Sequence, residues 1–277
     1  MIEDISRRTV LALGAVAAGE LLLAGASHAA ARPQRRVVVW SEGTAPKNVY
    51  PHDINGAIAE GLKAPAGWES HLSDTYHQDL AGKLTWLPGW EVVTATLADP
   101  DQGVSEESLK RTDVLIWWGH QRHGAVKDEN VARIVRRVKQ DGMGFIALHS
   151  SHFAKALKQL LGTNCGWKNY VEDGSQVKLI VKDPRHPIVR GVSDFTLLKT
   201  ERYTEPFEVP EPEALVLDGI YTLADGTKEQ SRQGLVWTVG KGRVFYFQPG
   251  HETYPIFFDK NVRKVMHNAV EWAAPRG

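Results

Sequence analysis

The chain has 277 residues, with 33 Lys plus Arg against 33 Asp plus Glu, so its formal charge is zero. That length suits one large domain or two small ones, and a neutral chain lacks the basic face that nucleic acid requires, so no nucleic-acid partner is expected. Charged residues at 24% and hydrophobic residues at 42% exclude a disordered chain, and a single cysteine excludes an intrachain disulfide or a cysteine-rich zinc module.

Residues 1–31 read differently from the rest. Ser6-Arg7-Arg8-Thr9-Val10-Leu11 sets a twin arginine before an apolar run, and Ser27-His28-Ala29 and Ala29-Ala30-Ala31 both fit a small-x-small cleavage site. The segment resembles a twin-arginine export signal. Glu20, in the middle of the apolar stretch, argues against a spanning helix. The expectation is a periplasmic or extracellular protein of residues 32–277 that meets a membrane only during export.

Arg36–Trp40 reads as a buried strand, and Asp53–Lys63 has helical spacing through Ile54, Ala57, Ile58 and Leu62. Ala64–Pro88, broken by Pro and Gly, predicts a loop with a short helix. Trp90–Leu97 alternates like a strand, and Ser105–Arg111 opens with a capping serine and two glutamates. Asp113–Trp118 is a second buried strand. Val131, Ile134, Val135 and Val138 mark an amphipathic helix over Asp128–Gln140. Gly144–His149 is a third buried strand, followed by a helix over Ala154–Leu161.

From about Val177 to Val244 the pattern becomes strand-like, with turns at Asp183-Pro184, Asp225-Gly226 and Gly240-Lys241-Gly242. Val244–Phe247 is a further strand, and Asp259–Ala274 is a terminal helix. Strands apolar on both faces, alternating with helices, predict a mainly parallel sheet covered on both sides, here with an antiparallel extension. With no internal repeat and no linker, residues 32–277 read as one domain.

In such a sheet, ligands bind beyond the C-terminal ends of the strands. Those ends read Trp40-Ser41-Glu42, Trp118-Gly119-His120, His149-Ser150-Ser151-His152 and Gly250-His251-Glu252. Four strands thus deliver Glu42, His120, His149 and His251 to one edge. Three imidazoles with an open position suit a divalent metal, zinc first, and histidines also serve as acids and bases near neutral pH. His52, His71, His77, His186 and His267 read as structural. Glu201-Arg202-Tyr203-Thr204-Glu205-Pro206-Phe207 lays two carboxylates and a phenol in a loop, from which Glu205 is taken as fourth ligand or general base beside Glu42. Trp118, His123, His152, Tyr203, Glu252 and Tyr254 are taken as substrate-binding, and the aromatics near the strand ends (Trp40, Trp117, Trp118, Tyr254) as a wall for a sugar ring.

A nucleophile elbow needs glycines around the serine or cysteine, and Leu148-His149-Ser150-Ser151-His152 has none. Cys165 lies past a helix and reads as structural. No phosphate loop and no dinucleotide fingerprint occurs, so no nucleotide cofactor is expected.

Several segments together resemble the trehalose-utilisation, or ThuA-like, family. They are Val39-Trp40-Ser41-Glu42, Val49-Tyr50-Pro51-His52 with Gly56–Leu62, Trp117-Trp118-Gly119-His120 with His123, Leu148-His149-Ser150, Tyr203–Phe207, and Gly250-His251-Glu252-Thr253-Tyr254-Pro255. The resemblance implies a flavodoxin-like three-layer sandwich related to class I glutamine amidotransferases but without their cysteine. It also implies disaccharide metabolism linked to 3-keto sugars. The expected activity is an isomerase or lyase on a small carbohydrate, using the histidines with or without a metal. Two other readings stay open. One is a non-catalytic carbohydrate-binding protein that serves a sugar dehydrogenase; the other is a hydrolase using Ser150 or Ser151.

Overall fold

The computed structural model describes residues 34–63, 87 and 89–276. The expected export segment 1–31 and the expected loop 64–88, with His71 and His77, lie outside the described residues, Leu87 aside.

Among the described residues, nine strands form one mixed sheet. They are β1 (Arg35–Ser41), β2 (Trp90–Thr96), β3 (Val114–Trp118), β4 (Gly144–Leu148), β5 (Trp167–Val181), β6 (Phe195–Phe207), β7 (Ala214–Thr222), β8 (Lys228–Val239) and β9 (Gly242–Phe247). Their order is β2-β1-β3-β4-β9-β8-β7-β5-β6. The first five run parallel. Numbered among themselves they follow the 2-1-3-4-5 order of doubly wound flavodoxin-like sheets, whose switch point falls between β1 and β3. The remaining strands pair antiparallel. A tight turn at Gly240-Lys241 joins β8 to β9, with Gly240 at φ +62°.

Five helices cover the sheet: α1 (Asp53–Lys63), α2 (Glu106–Lys110), α3 (Asp128–Asp141), α4 (Lys155–Leu161) and α5 (Lys260–Ala273). Side chains alternate along each parallel strand, and both faces are buried in the central β3 and β4, while the edge strand β2 is half-exposed on one face. Val37 and Val39 of β1 pack with Ile54, Ile58 and Leu62 of α1 and with Val265 and Ala269 of α5. Val38 and Trp40 pack on the other face with Val131 and Ile134 of α3 and Leu157 of α4. Trp40 and Trp117 are register partners on β1 and β3, and their rings stack 3.6 Å apart. Local chemistry fixes the helix ends. Ser105 Oγ accepts from Ser108 N ahead of α2, Asp259 accepts from Asn261 N and Val262 N ahead of α5, and Gly142 closes α3 in the left-handed region.

The extension starts earlier than its sequence predicts. β5 begins at Trp167, not near Val177, because its first half overhangs the strand ends and its side chains alternate in burial only from Ser175 onward. Bulges against β6 between Val171 and Ser175 mark the change.

Candidate active site

All four strand ends meet at the C-terminal edge of the parallel block. The ring centroids of His120 and His251 are 5.0 Å apart, those of His149 and His251 6.0 Å, and those of His120 and His149 6.2 Å. β6 adds Glu201 and Tyr203 from the antiparallel side. Glu201 N donates to Gly250 O at 3.2 Å, which ties β6 to the loop after β9.

His149 occupies the elbow after β4. Its backbone is in the left-handed region at φ +49°, and a short 3₁₀ turn follows it. A side chain rarely takes this conformation unless its surroundings hold it there. Here Nδ1 faces the Gln248 carbonyl at 2.8 Å and Nε2 faces Glu201 Oε2 at 2.7 Å. Both ring nitrogens are therefore engaged by protein atoms. His149, expected as a metal ligand, is here a buried group bridging Glu201 and the sheet, outside the cluster of possible ligand atoms that His120, His251 and Glu252 form.

Glu252 lies beside the other two histidines. Its Oε2 stands 3.0 Å from His120 Nε2 and 3.8 Å from His251 Nε2. One ligand atom from each of His120, His251 and Glu252 falls within 4.8 Å of the other two. The His120 contact is short, yet Glu252 Oε2 has no aligned hydrogen-bond donor. The far side of each ring is held. His120 Nδ1 meets Ser150 Oγ at 2.5 Å. His251 Nδ1 meets Thr253 Oγ1 at 2.7 Å, and that hydroxyl donates to Glu172 at 3.2 Å. Gln121 Nε2 donates to Glu252 Oε1 at 3.1 Å. Partners of this kind orient metal-ligating side chains and set their tautomers.

A polar chain runs inward from His120. Ser150 Oγ meets Tyr203 OH at 3.0 Å, and Tyr203 OH meets His149 Nε2 at 3.0 Å. Burial opposes charge throughout. At His120 it is outweighed by Glu252, with Glu201 and Glu42 behind, so that imidazole is raised above its ordinary value. Burial would raise Glu252 and Glu201, but His120 and His149 respectively hold them below the ordinary carboxylate value. At His251 burial prevails, and that ring is lowered. Burial also drives the Tyr203 phenol well above its usual range.

Other expected site residues lie elsewhere. Glu205 forms a bidentate pair with Arg232 at 2.8 and 2.9 Å. It lies four residues along β6 from Glu201, about 13 Å at strand spacing, so the carboxylate that reaches the histidines is Glu201. Glu42 accepts from Gln121 N at 2.8 Å and Arg122 N at 2.9 Å, contacts that fix the loop carrying His120. Trp118 is fully buried and stacks beneath His120 and His149. His152 and Tyr203 are also buried, so these three form the floor of the site and not a substrate wall. Trp40 and Trp117 are core residues on the α3 face. Tyr254 lies at the rim, 5.7 Å from His251, and His123 packs beside Phe153 at 6.1 Å. His52 pairs with Glu60 of α1. Ser151 Oγ is spent on Trp117 O and Gly119 N.

Glu201 was within view of the sequence, since it shares its segment with Glu205; that segment, expected as a loop, is the end of β6, and the strand rise that sets the two carboxylates apart was the missing signal. Thr253 and Glu172 carried no sequence signal beyond, for Thr253, its place two residues after His251.

The sheet order, and an elbow that carries histidine where a nucleophile would stand, define an α/β protein of the class I glutamine amidotransferase-like fold that lacks a cysteine nucleophile there. The chain belongs to the ThuA family, described as trehalose utilisation, whose model matches residues 36–273. Among solved structures it is similar to a putative ThuA-like protein from Bacteroides uniformis (17% identity, 90% of this chain and 94% of that one, TM-score 0.54). It is similar as well to one from Parabacteroides merdae (13% identity, 87% and 90%, TM-score 0.54) and to a cytoplasmic protein from Salmonella typhimurium (10% identity, 86% and 99%, TM-score 0.51). At these identities the likeness establishes the fold. A search of curated proteins finds no match.

Proposed function

We propose that the protein is a metal-dependent isomerase or lyase acting on a 3-keto sugar derived from a trehalose-type disaccharide. The observation that carries this is the geometry at Glu252 Oε2: two imidazole Nε2 atoms 3.0 and 3.8 Å away, with no aligned donor, and with each ring anchored through Nδ1. His120, His251 and Glu252 would hold a divalent cation, zinc first, with positions left open for substrate. A bound cation supplies stabilisation for negative charge that develops on a carbonyl oxygen.

The proton work falls to Glu201. It sits next to the cluster, is held by His149, and stays ionised at neutral pH. Its carboxylate takes the proton from the carbon next to the carbonyl. That proton exchanges with water on the carboxylate; in an isomerisation a proton is then delivered to the former carbonyl carbon while the neighbouring hydroxyl proton passes to the carbonyl oxygen, and in an elimination a proton goes to the departing oxygen. His149, Tyr203 and Ser150 are positioning residues that link this base to His120. The hydrolase reading is weaker. Ser150 does meet His120, but it is buried, and the His120–Glu252 contact is off-axis for a relay. A sugar dehydrogenase would supply the ketone. The twin-arginine pattern of residues 1–31 supports action in the periplasm or outside the cell.

The test is NMR of 3-keto-trehalose in deuterated buffer with zinc-loaded protein. The expected result is deuterium at the carbons flanking the ketone, followed by isomer or elimination product. Binding of the sugar without exchange or turnover would instead mark a carrier and refute the enzymatic reading.

A further inference from the structure

We infer that Phe153 and Tyr170 form a platform for a second pyranose ring beside the histidine site, which makes the ligand a disaccharide and not a monosaccharide. This rests on the sugar-active reading above and names where the rest of the sugar lies. Among the described residues, three large hydrophobic side chains are exposed: Phe153, Tyr170 and Leu198. Two of the three are neighbours. Phe153 and Tyr170 have ring centroids 5.5 Å apart although they come from different elements, the turn after β4 and the overhanging half of β5.

The pair is built, not incidental. The Tyr170 hydroxyl accepts from Trp167 N at 3.1 Å, which fixes the ring without hiding it. The Lys158 ammonium sits 4.8 Å over the Phe153 ring. Beneath both lies buried His152, 4.0 Å from Phe153 and nearly parallel to Tyr170 at 5.5 Å. Tyr203 packs edge-on to Tyr170 at 5.0 Å, and its hydroxyl is the one that bonds His149 and Ser150. The exposed rings are therefore one side chain from the proposed chemistry.

Held, half-exposed aromatic rings offer a π surface that suits the apolar C–H face of a pyranose, whose hydroxyl edges stay in water or meet polar neighbours. A protein partner fits less well. A stable interface needs about 800 Å² from each side, and two partly exposed rings supply a small fraction of that. This platform replaces the tryptophan wall expected from the sequence, since Trp40, Trp117 and Trp118 are all buried.

The test is saturation-transfer NMR and calorimetry on the full chain loaded with zinc, with trehalose, maltose and cellobiose as probes. At least one should receive saturation at its ring protons. Joint Phe153→Ala and Tyr170→Ala substitution should weaken its affinity about tenfold and leave zinc stoichiometry unchanged. Tyr170→Phe, which keeps the ring, and Leu198→Ala should stay within about twofold of the native value. If the double variant does not fold, Tyr170→Leu alone makes the comparison. Native protein that binds none of the three sugars, or a variant that binds like the native one, overturns the platform. A chain without zinc whose sugar affinity still depends on the two rings would remove the metal centre and leave the platform standing.

Discussion

Gly250 gives His149 the space its side chain fills: a Cβ added to Gly250 would lie 2.4 Å from the Cβ of His149. The loop after β9 and the elbow after β4 are thereby locked together at closest approach, and the same loop carries His251 and Glu252. Gly250→Ala should force one of them to move. We expect a loss of about 2 kcal/mol in stability, read from the denaturant midpoint at unchanged slope. Zinc affinity should also fall, by about tenfold, because the ligand loop shifts. A variant with native stability and native zinc affinity would show that the loops are not coupled in this way.

The two carboxylates of β6 should separate cleanly. Glu201→Gln removes the proposed base, and deuterium exchange into the keto sugar should drop by about 10² to 10⁴. Glu205→Gln breaks a partly exposed pair with Arg232, which should cost roughly 1 kcal/mol of stability and leave exchange untouched. The opposite pattern, with exchange lost only in Glu205→Gln, would return the base to the position first expected from the sequence.

His152 supplies a pH signature. Burial opposes its charged form, the Cys165 carbonyl only partly offsets this, and its pKa is pushed down to about 3 from an ordinary 6.5. Between those values the unfolded chain binds the proton and the folded one does not. Stability from this group is therefore complete above 6.5 and is lost as pH falls toward 3, by up to about 1.4 kcal/mol per pH unit. His152→Asn keeps a donor for Cys165 O but cannot titrate. The stability advantage of the native protein over this variant should shrink through that window, as followed by denaturation at stepped pH. A constant difference from neutral pH to pH 4 would contradict a neutral, buried His152.

Most of the sheet was legible because its signals are local. Buried parallel strands such as Val114–Trp118 are short apolar runs, and α3 carries Val131, Ile134 and Val138 at helical spacing under a left-handed Gly142. The first half of β5 was not legible, since it overhangs the site with half-exposed residues and lacks alternation. The strand-end rule placed His120, His149 and His251 at one edge, but ligand identity depends on where each nitrogen points. His149 and His251 look alike in sequence. What separates them is that His149 is bonded on both ring sides, by Gln248 and Glu201, while His251 is anchored on one. Glu42 misleads for a related reason: a carboxylate at a strand end serves a backbone turn as readily as a metal.

His120, His251 and Glu252 are proposed to form a divalent-cation centre. The most direct measurement is metal stoichiometry by elemental analysis of the native protein and of His120→Ala, His251→Ala, Glu252→Ala and His149→Ala, each checked for folding by circular dichroism. The account predicts about one zinc per native chain, loss of that zinc in the first three variants, and retention of it in His149→Ala with weakened affinity. Folded native protein that binds no metal, or one whose metal is lost with His149 and kept without Glu252, would contradict it.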